Sequence, residues 1–226
     1  MAKAIAENLP GKMTEYTIYL PLFNGVNEMR IGLSPGANIE APSRYSIEKP
    51  ILFYGSSITQ GRCASRPGNS YTNIVSRNLD ANSINLGFSG NAKGEALLAE
   101  IIASLELSMF VMDYDHNAPS REYLAETHEK FFKIFREKCP HTPVLIASKC
   151  DCDRDVEINR QRRDIIRKTW ENAIDAGDKN VYFLDGKRLF GNFNRDSCTV
   201  DGCHPNDLGF MRMAEAFIST IEDILT

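Results

Sequence analysis

Five short apolar runs punctuate the chain: Ile51 to Tyr54, Ser83 to Leu86, Met109 to Met112, Val144 to Ala147 and Val181 to Leu184. Between them lie segments of helical period. One carries Leu124, His128, Phe131, Phe132 and Phe135, and the last carries Leu208, Met211, Ala214, Ile218, Ile221 and Leu225. A strand covered on both faces reads as a continuous apolar run, whereas a strand with one wet face alternates. Parallel neighbours also need a crossover of about a dozen residues or more, usually a helix. The pattern therefore predicts an α/β fold: a doubly wound parallel five-stranded sheet in the flavodoxin-like layout, spanning residues 49–226. There is no internal repeat, and 226 residues suffice for one buried core.

Residues 1–48 read differently. Tyr16, Ile18, Leu20 and Leu22 alternate with Thr17, Tyr19 and Pro21, then Asn24-Gly25 intervenes, then Met29, Ile31 and Leu33 alternate again. Asn-Gly between two period-two runs predicts an N-terminal β-hairpin appendage. Pro35, Gly36 and Pro42 mark a linker after it. A lone hairpin is marginal in water, so it is expected to pack on the body or on another copy, giving a homo-oligomer through the arm.

Charge and cysteine usage exclude several function classes. Net charge is -4, and the basic run from Arg160 to Lys168 is broken by Asp164 and by apolar residues at helical spacing, so no nucleic-acid face is advertised. No window holds the roughly 20 apolar residues of a membrane span. The opening Met1 to Asn8 includes Glu7 and lacks the apolar core of a secretory leader, which points to the cytoplasm. Cys63, Cys139, Cys150, Cys152, Cys198 and Cys203 show no paired zinc-ligand spacing, so free thiols and no metal are expected. Asp151, Asp153 and Asp155 imitate a calcium loop only faintly.

Ligands of open α/β sheets bind beyond the carboxyl ends of the strands, and the notable polar residues fall there. Gly55-Ser56-Ser57-Ile58-Thr59-Gln60-Gly61 follows the first run, Phe88-Ser89-Gly90-Asn91 the second, Asp115-His116-Asn117-Ala118 the third and Asp201-Gly202-Cys203-His204-Pro205 the fifth. Structural readings compete at each. Ser56 and Ser57 suit a turn cap, Asn117 a turn ahead of Pro119, and His204 a helix flank beside Pro205. The first block would also serve as an anion cradle, but no Walker-type lysine follows it.

Ser, Gly, Asn and His in that order resemble the SGNH hydrolases, or GDSL esterase/lipase family, over residues 49–226. The resemblance implies that fold and a serine esterase working through an acyl-serine intermediate without metal or cofactor. Ser57 is then the nucleophile and His204 the base, with Asp201 holding the other ring nitrogen. The oxyanion donors implied are the N–H groups of Ser57 and Gly90 and the side-chain amide of Asn117. Two departures stand out: Ser56 sits where many members have Asp, and Asp115-His116-Asn117-Ala118 replaces Gly-x-Asn-Asp. Ser56 thus stays a rival nucleophile or a substrate contact, and His116 competes with Asn117 for contact with substrate. The arm is also similar to the end of a β-rich domain that precedes the hydrolase domain in some members. The implied partner is a small-molecule ester, such as an acetyl group on a carbohydrate. Alternatives are an acyltransferase of the same fold and a catalytically silent sugar- or lipid-binding module.

Overall fold

The structure, a computed structural model, describes residues 7–150 and 153–225. The apolar runs become strands β1 (Ile47–Gly55), β2 (Ala81–Gly87), β3 (Met109–Asp113), β4 (Val144–Ala147) and β5 (Val181–Leu184). All neighbours pair in parallel, in the order β2-β1-β3-β4-β5. Strand order therefore reverses between β1 and β3, and the crevice at that switch point is where such sheets take ligands.

Alternation along β1 sends Ile51 and Phe53 to one core and Leu52 and Tyr54 to the other. The first core is closed by α2 (Tyr71–Asn78) and α6 (Asp207–Leu225), through Tyr71, Phe210 and Phe217. The second is closed by α3 (Ala96–Ile102), α4 (Arg121–Lys138) and α5 (Val156–Asp175), with Phe131 and Phe135 against Phe110. A four-residue helix, α1 (Ser57–Gln60), caps the end of β1.

Two expectations need correction. The stripe expected on α6 is rotated: Leu208 and Met211 are exposed, while Phe210, Met213 and Phe217 are buried. The larger rings win the core face because Phe217 stacks on Tyr71 at 4.9 Å between centroids, with Phe210 at 6.5 Å. The hairpin over residues 14–33 does not form, and no strand precedes β1 among the described residues. Alternation needs a partner edge, and here the arm is instead tied to the body by side chains. Arg77 donates to the Tyr19 hydroxyl at 2.9 Å and lies over its ring, and Gln60 donates to the Leu22 carbonyl at 2.9 Å. Tyr16, Ile18, Leu20, Met29, Ile31 and Leu33 stay exposed.

Cys63, Cys139 and Cys198 are free thiols, while Asp151 and Cys152 lie outside the described residues. No helix among the described residues is long and apolar enough to cross a membrane.

His128 falls on the buried stripe of α4, as its spacing predicts. It stacks on Tyr114 and bonds to the Thr169 hydroxyl at 2.8 Å. Burial pushes its pKa down to about 4 from an ordinary 6.5. The unfolded chain therefore binds the proton first as pH falls, and stability present above pH 6.5 is lost on the way to pH 4. The full loss attributable to this ring is on the order of 3 kcal/mol. Asp113, pushed up to about 7 by burial, acts in the opposite sense over much of the same range. The expected outcome is thus a difference: urea midpoints of His128→Gln should fall less between pH 7 and pH 4 than those of the parent, and equal slopes would refute this role for His128.

Candidate active site

The site begins where β1 must turn. A Cβ on Gly55 would collide with the Thr59 side chain and with the carbonyl oxygen of Asp113, so only glycine lets α1 fold back against the end of β3. Ser56 is the N-cap of α1, its hydroxyl accepting the Ile58 N–H at 3.1 Å. That leaves Ser57 as the first helical residue, and its Oγ lies 3.0 Å from His204 Nε2. Of the two rival serines, the buried cap is Ser56 and the one facing the imidazole is Ser57.

His204 comes from the turn ahead of α6, closed by the bridge between Thr199 and Pro205 and by Val200 N–H donating to its carbonyl at 3.0 Å. Asp201 organises this turn. Its Oδ1 accepts the N–H groups of His204 at 2.7 Å and Cys203 at 3.0 Å, and its Oδ2 faces His204 Nδ1 at 2.7 Å. The His204 N–H first, then the ring, hold the Asp201 carboxyl down at about 2. One carboxylate thus fixes the backbone and aims the imidazole.

Gly90 and Asn117 stand past the ends of β2 and β3 and are not hydrogen-bonded to this chain of groups. Gly90 holds φ +73, in the left-handed region that favours glycine. The N–H groups of Ser57 and Gly90 donate no hydrogen bond among the described residues, and the Asn117 carboxamide makes none, with its Oδ1 buried and unpartnered. His116 turns inward: its side chain is only 8% exposed and its Nδ1 sits 2.9 Å from Asp115.

Beneath the edge lies a group that periodicity did not reveal. Asp113, the last residue of β3, is buried and accepts from the Tyr71 hydroxyl at 2.8 Å and from Thr59 Oγ1 at 3.1 Å. Burial raises its pKa to about 7. At Asp115 burial works the same way, but His116 and Arg162 outweigh it and the pKa is lowered. Asp113, Asp115 and His116 are the one set with metal-ligand spacing among the described residues, their ligand atoms within 4.8 Å of one another. Two hydroxyls already occupy Asp113 Oδ2, which suits a structural cluster that fixes α1 and α2 on β3. An acid closing an otherwise apolar run was the available signal for it. Gln60 was also unforeseen: its Nε2 holds Leu22 of the arm and its Oε1 accepts the Ser89 N–H at 3.0 Å.

A doubly wound α/β protein with a serine, an imidazole and a carboxylate in hydrogen-bond series at its switch point has the layout of a serine-dependent hydrolase. Residues 48–222 match the model of the GDSL-like lipase/acylhydrolase family, and the chain belongs to that family. A protein from Bacteroides ovatus ATCC 8483 described as a GDSL-like lipase is 34% identical, with a TM-score of 0.72, over 79% of this chain and 54% of that one. The salicylyl-acyltransferase SsfX3 of a tetracycline biosynthetic pathway (23% identity, TM-score 0.65, 80% and 57% covered) shares the fold. So does a Clostridium thermocellum family 3 carbohydrate esterase (17% identity, TM-score 0.62, 78% and 96% covered). The chain thus spans about half the length of the first two of these. No curated protein matches it.

The close approach at Gly55 makes a prediction about geometry alone. Gly55→Ala should lower unfolding stability by about 1–3 kcal/mol, the usual cost of overpacking. A urea midpoint unchanged from the parent would show that the turn has room after all.

Proposed function

We propose that the protein is a serine esterase that cleaves a carboxylic ester through an acyl-serine intermediate. The observation that carries this reading is the series Ser57 Oγ, His204, Asp201, with contacts of 3.0 and 2.7 Å. His204 Nε2 takes the Ser57 proton as Oγ bonds to the ester carbonyl carbon, and Asp201 stabilises the imidazolium that forms. The carbonyl oxygen then carries the negative charge. The Ser57 and Gly90 N–H groups and the Asn117 amide are the donors we assign to it, since none is committed elsewhere. As the tetrahedral intermediate collapses, the C–O bond to the alcohol breaks and His204 returns its proton to the departing oxygen. Water repeats the sequence with His204 as base, releasing the acid and restoring Ser57.

A small acyl group on a carbohydrate alcohol is the substrate class we favour. It is supported by the fold shared with the family 3 carbohydrate esterase. Ser56, engaged as a cap, has no place in the chemistry on this reading, and His116 serves Asp115 rather than substrate.

Ser57→Ala should lower kcat on a short-chain chromogenic acetate by at least about 10³-fold, with an unchanged far-ultraviolet circular dichroism spectrum. Ser56→Ala should retain turnover while losing about 1 kcal/mol of stability with the cap. The opposite pattern would move the nucleophile to Ser56. Removing one oxyanion donor, in Asn117→Ala, should reduce kcat about 10²- to 10³-fold. A kcat within twofold of the parent would take Asn117 out of the site.

A further inference from the structure

A cleft of about 610 Å³ lies between the arm and the loop that follows α1. Leu22 and Phe23 of the arm form one wall, residues 61–67 another, and Ser89, next to Gly90, closes it. Three ties fasten this cleft to the proposed catalytic edge. Arg62 N–H donates to the Ser57 carbonyl at 2.8 Å. Ser65 donates to both carboxylate oxygens of Asp207, at 2.9 and 2.5 Å, three residues past His204. Gln60 bridges Leu22 and Ser89. Ser57, Gly90 and His204 do not themselves line the cleft, but their segments are bonded to residues that do.

The charge of the cleft is one-sided. Arg62 and Arg66 line it and no carboxylate does, in a chain whose net charge is -4. Neither guanidinium forms a salt bridge among the described residues. Asp207 feels the field of Arg66, but its oxygens are taken by Ser65 and Asn69. Between the two arginines the backbone turns through Cys63 at φ +74, a left-handed conformation uncommon outside glycine. Backbone of this kind persists where the surrounding structure holds it, and such positions gather at ligand clamps. Arg62 and Arg66 are both exposed, and arginine is the side chain best suited to grip an oxyanion through paired N–H groups.

We infer that this cleft is a subsite for an anionic group on the ester. The substrate carries a carboxylate or similar oxyanion near the scissile bond, held by Arg62 and Arg66, while Leu22 and Phe23 cover its apolar part. The arm is then a wall of the substrate site. This deepens the esterase reading and rests on it for the reaction, though not for the binding.

Matched esters test it. One pair, 4-acetoxybenzoate and 4-acetoxybenzamide, places the charge on the alcohol side. The other, mono-4-nitrophenyl succinate and 4-nitrophenyl succinamate, places it on the acyl side. In at least one pair kcat/KM should favour the anion by about tenfold or more, and the favoured pair locates the charge. The ratio should shrink as salt is raised past about 0.1 M, where the Debye length is about 10 Å. It should approach unity in the Arg62→Gln/Arg66→Gln double variant. Equal rates within both pairs, or a preference that survives the double substitution, would overturn the subsite. Calorimetry on Ser57→Ala with 4-acetamidobenzoate and its neutral carboxamide, and with succinanilate and its neutral amide, separates the two readings. Tenfold tighter binding of an anionic member without turnover of any ester would sink the hydrolase and keep the subsite. Turnover with no discrimination in rate or binding would do the reverse.

Discussion

A single contact between Ser57 Oγ and His204 Nε2, spanning 147 positions of sequence, is what the rest of the molecule has to hold in place. Neither residue reaches it alone. Ser57 is carried there because β1 runs between β2 and β3 in the sheet and Gly55 permits an immediate fold into α1 against β3. His204 is carried there because α6, locked on the same face by Phe210 and Phe217 against Tyr71, fixes the turn that precedes it. Tyr71 serves both sides at once: its ring packs α6 and its hydroxyl reaches Asp113 at the end of β3. Core packing and site geometry are thus one problem here, and a loosened Tyr71 would move the imidazole and the serine apart.

Acids near this edge meet opposite fates, and environment decides which. Asp201 is close to half exposed and surrounded by N–H donors, so it remains ionised and can face an imidazolium. Asp113 is dry, with two neutral hydroxyls for partners, and burial drives its pKa up to about 7. A carboxyl that is partly neutral near pH 7 suits a bracket between elements better than a charge stabiliser. Spacing alone distinguishes the two in one respect: Asp201 stands three residues before a histidine, whereas the partners of Asp113 come from distant α1 and α2.

The inner strands were legible because burial on both faces marks every residue of β3 and β4 and the second half of β1, whereas the edge strands β2 and β5 are only partly buried. Val144 to Ala147 and Val181 to Leu184 coincide with β4 and β5, and the other three runs sit inside their strands. Ser57, Gly90, Asn117 and His204 could be placed on one edge for the same reason, since each follows a recognisable strand end. What failed was whatever depended on a partner that local pattern does not name. Residues 14–33 have the alternation and the Asn-Gly of a hairpin, yet Arg77 and Gln60 draw the arm onto the body by side-chain contacts. The stripe on α6 has apolar residues on two overlapping faces, and ring size against Tyr71, invisible to a periodicity count, chose between them. His116 looked like a loop residue because nothing in Asp115-His116-Asn117 announces that the turn folds inward.

An extended segment with Ile18, Leu20, Ile31 and Leu33 exposed buries too little to hold its course by hydrophobic contact alone. Its course is set by a few directed bonds, and the bond at Leu22 passes through Gln60 directly to Ser89, beside the Gly90 proposed as an oxyanion donor. A displacement of the arm therefore has a short mechanical route to the place where charge would develop in the reaction. A wall supplied by the arm, held by Gln60 and Arg77, lets substrate choice change while the serine, the imidazole and the carboxylate stay fixed.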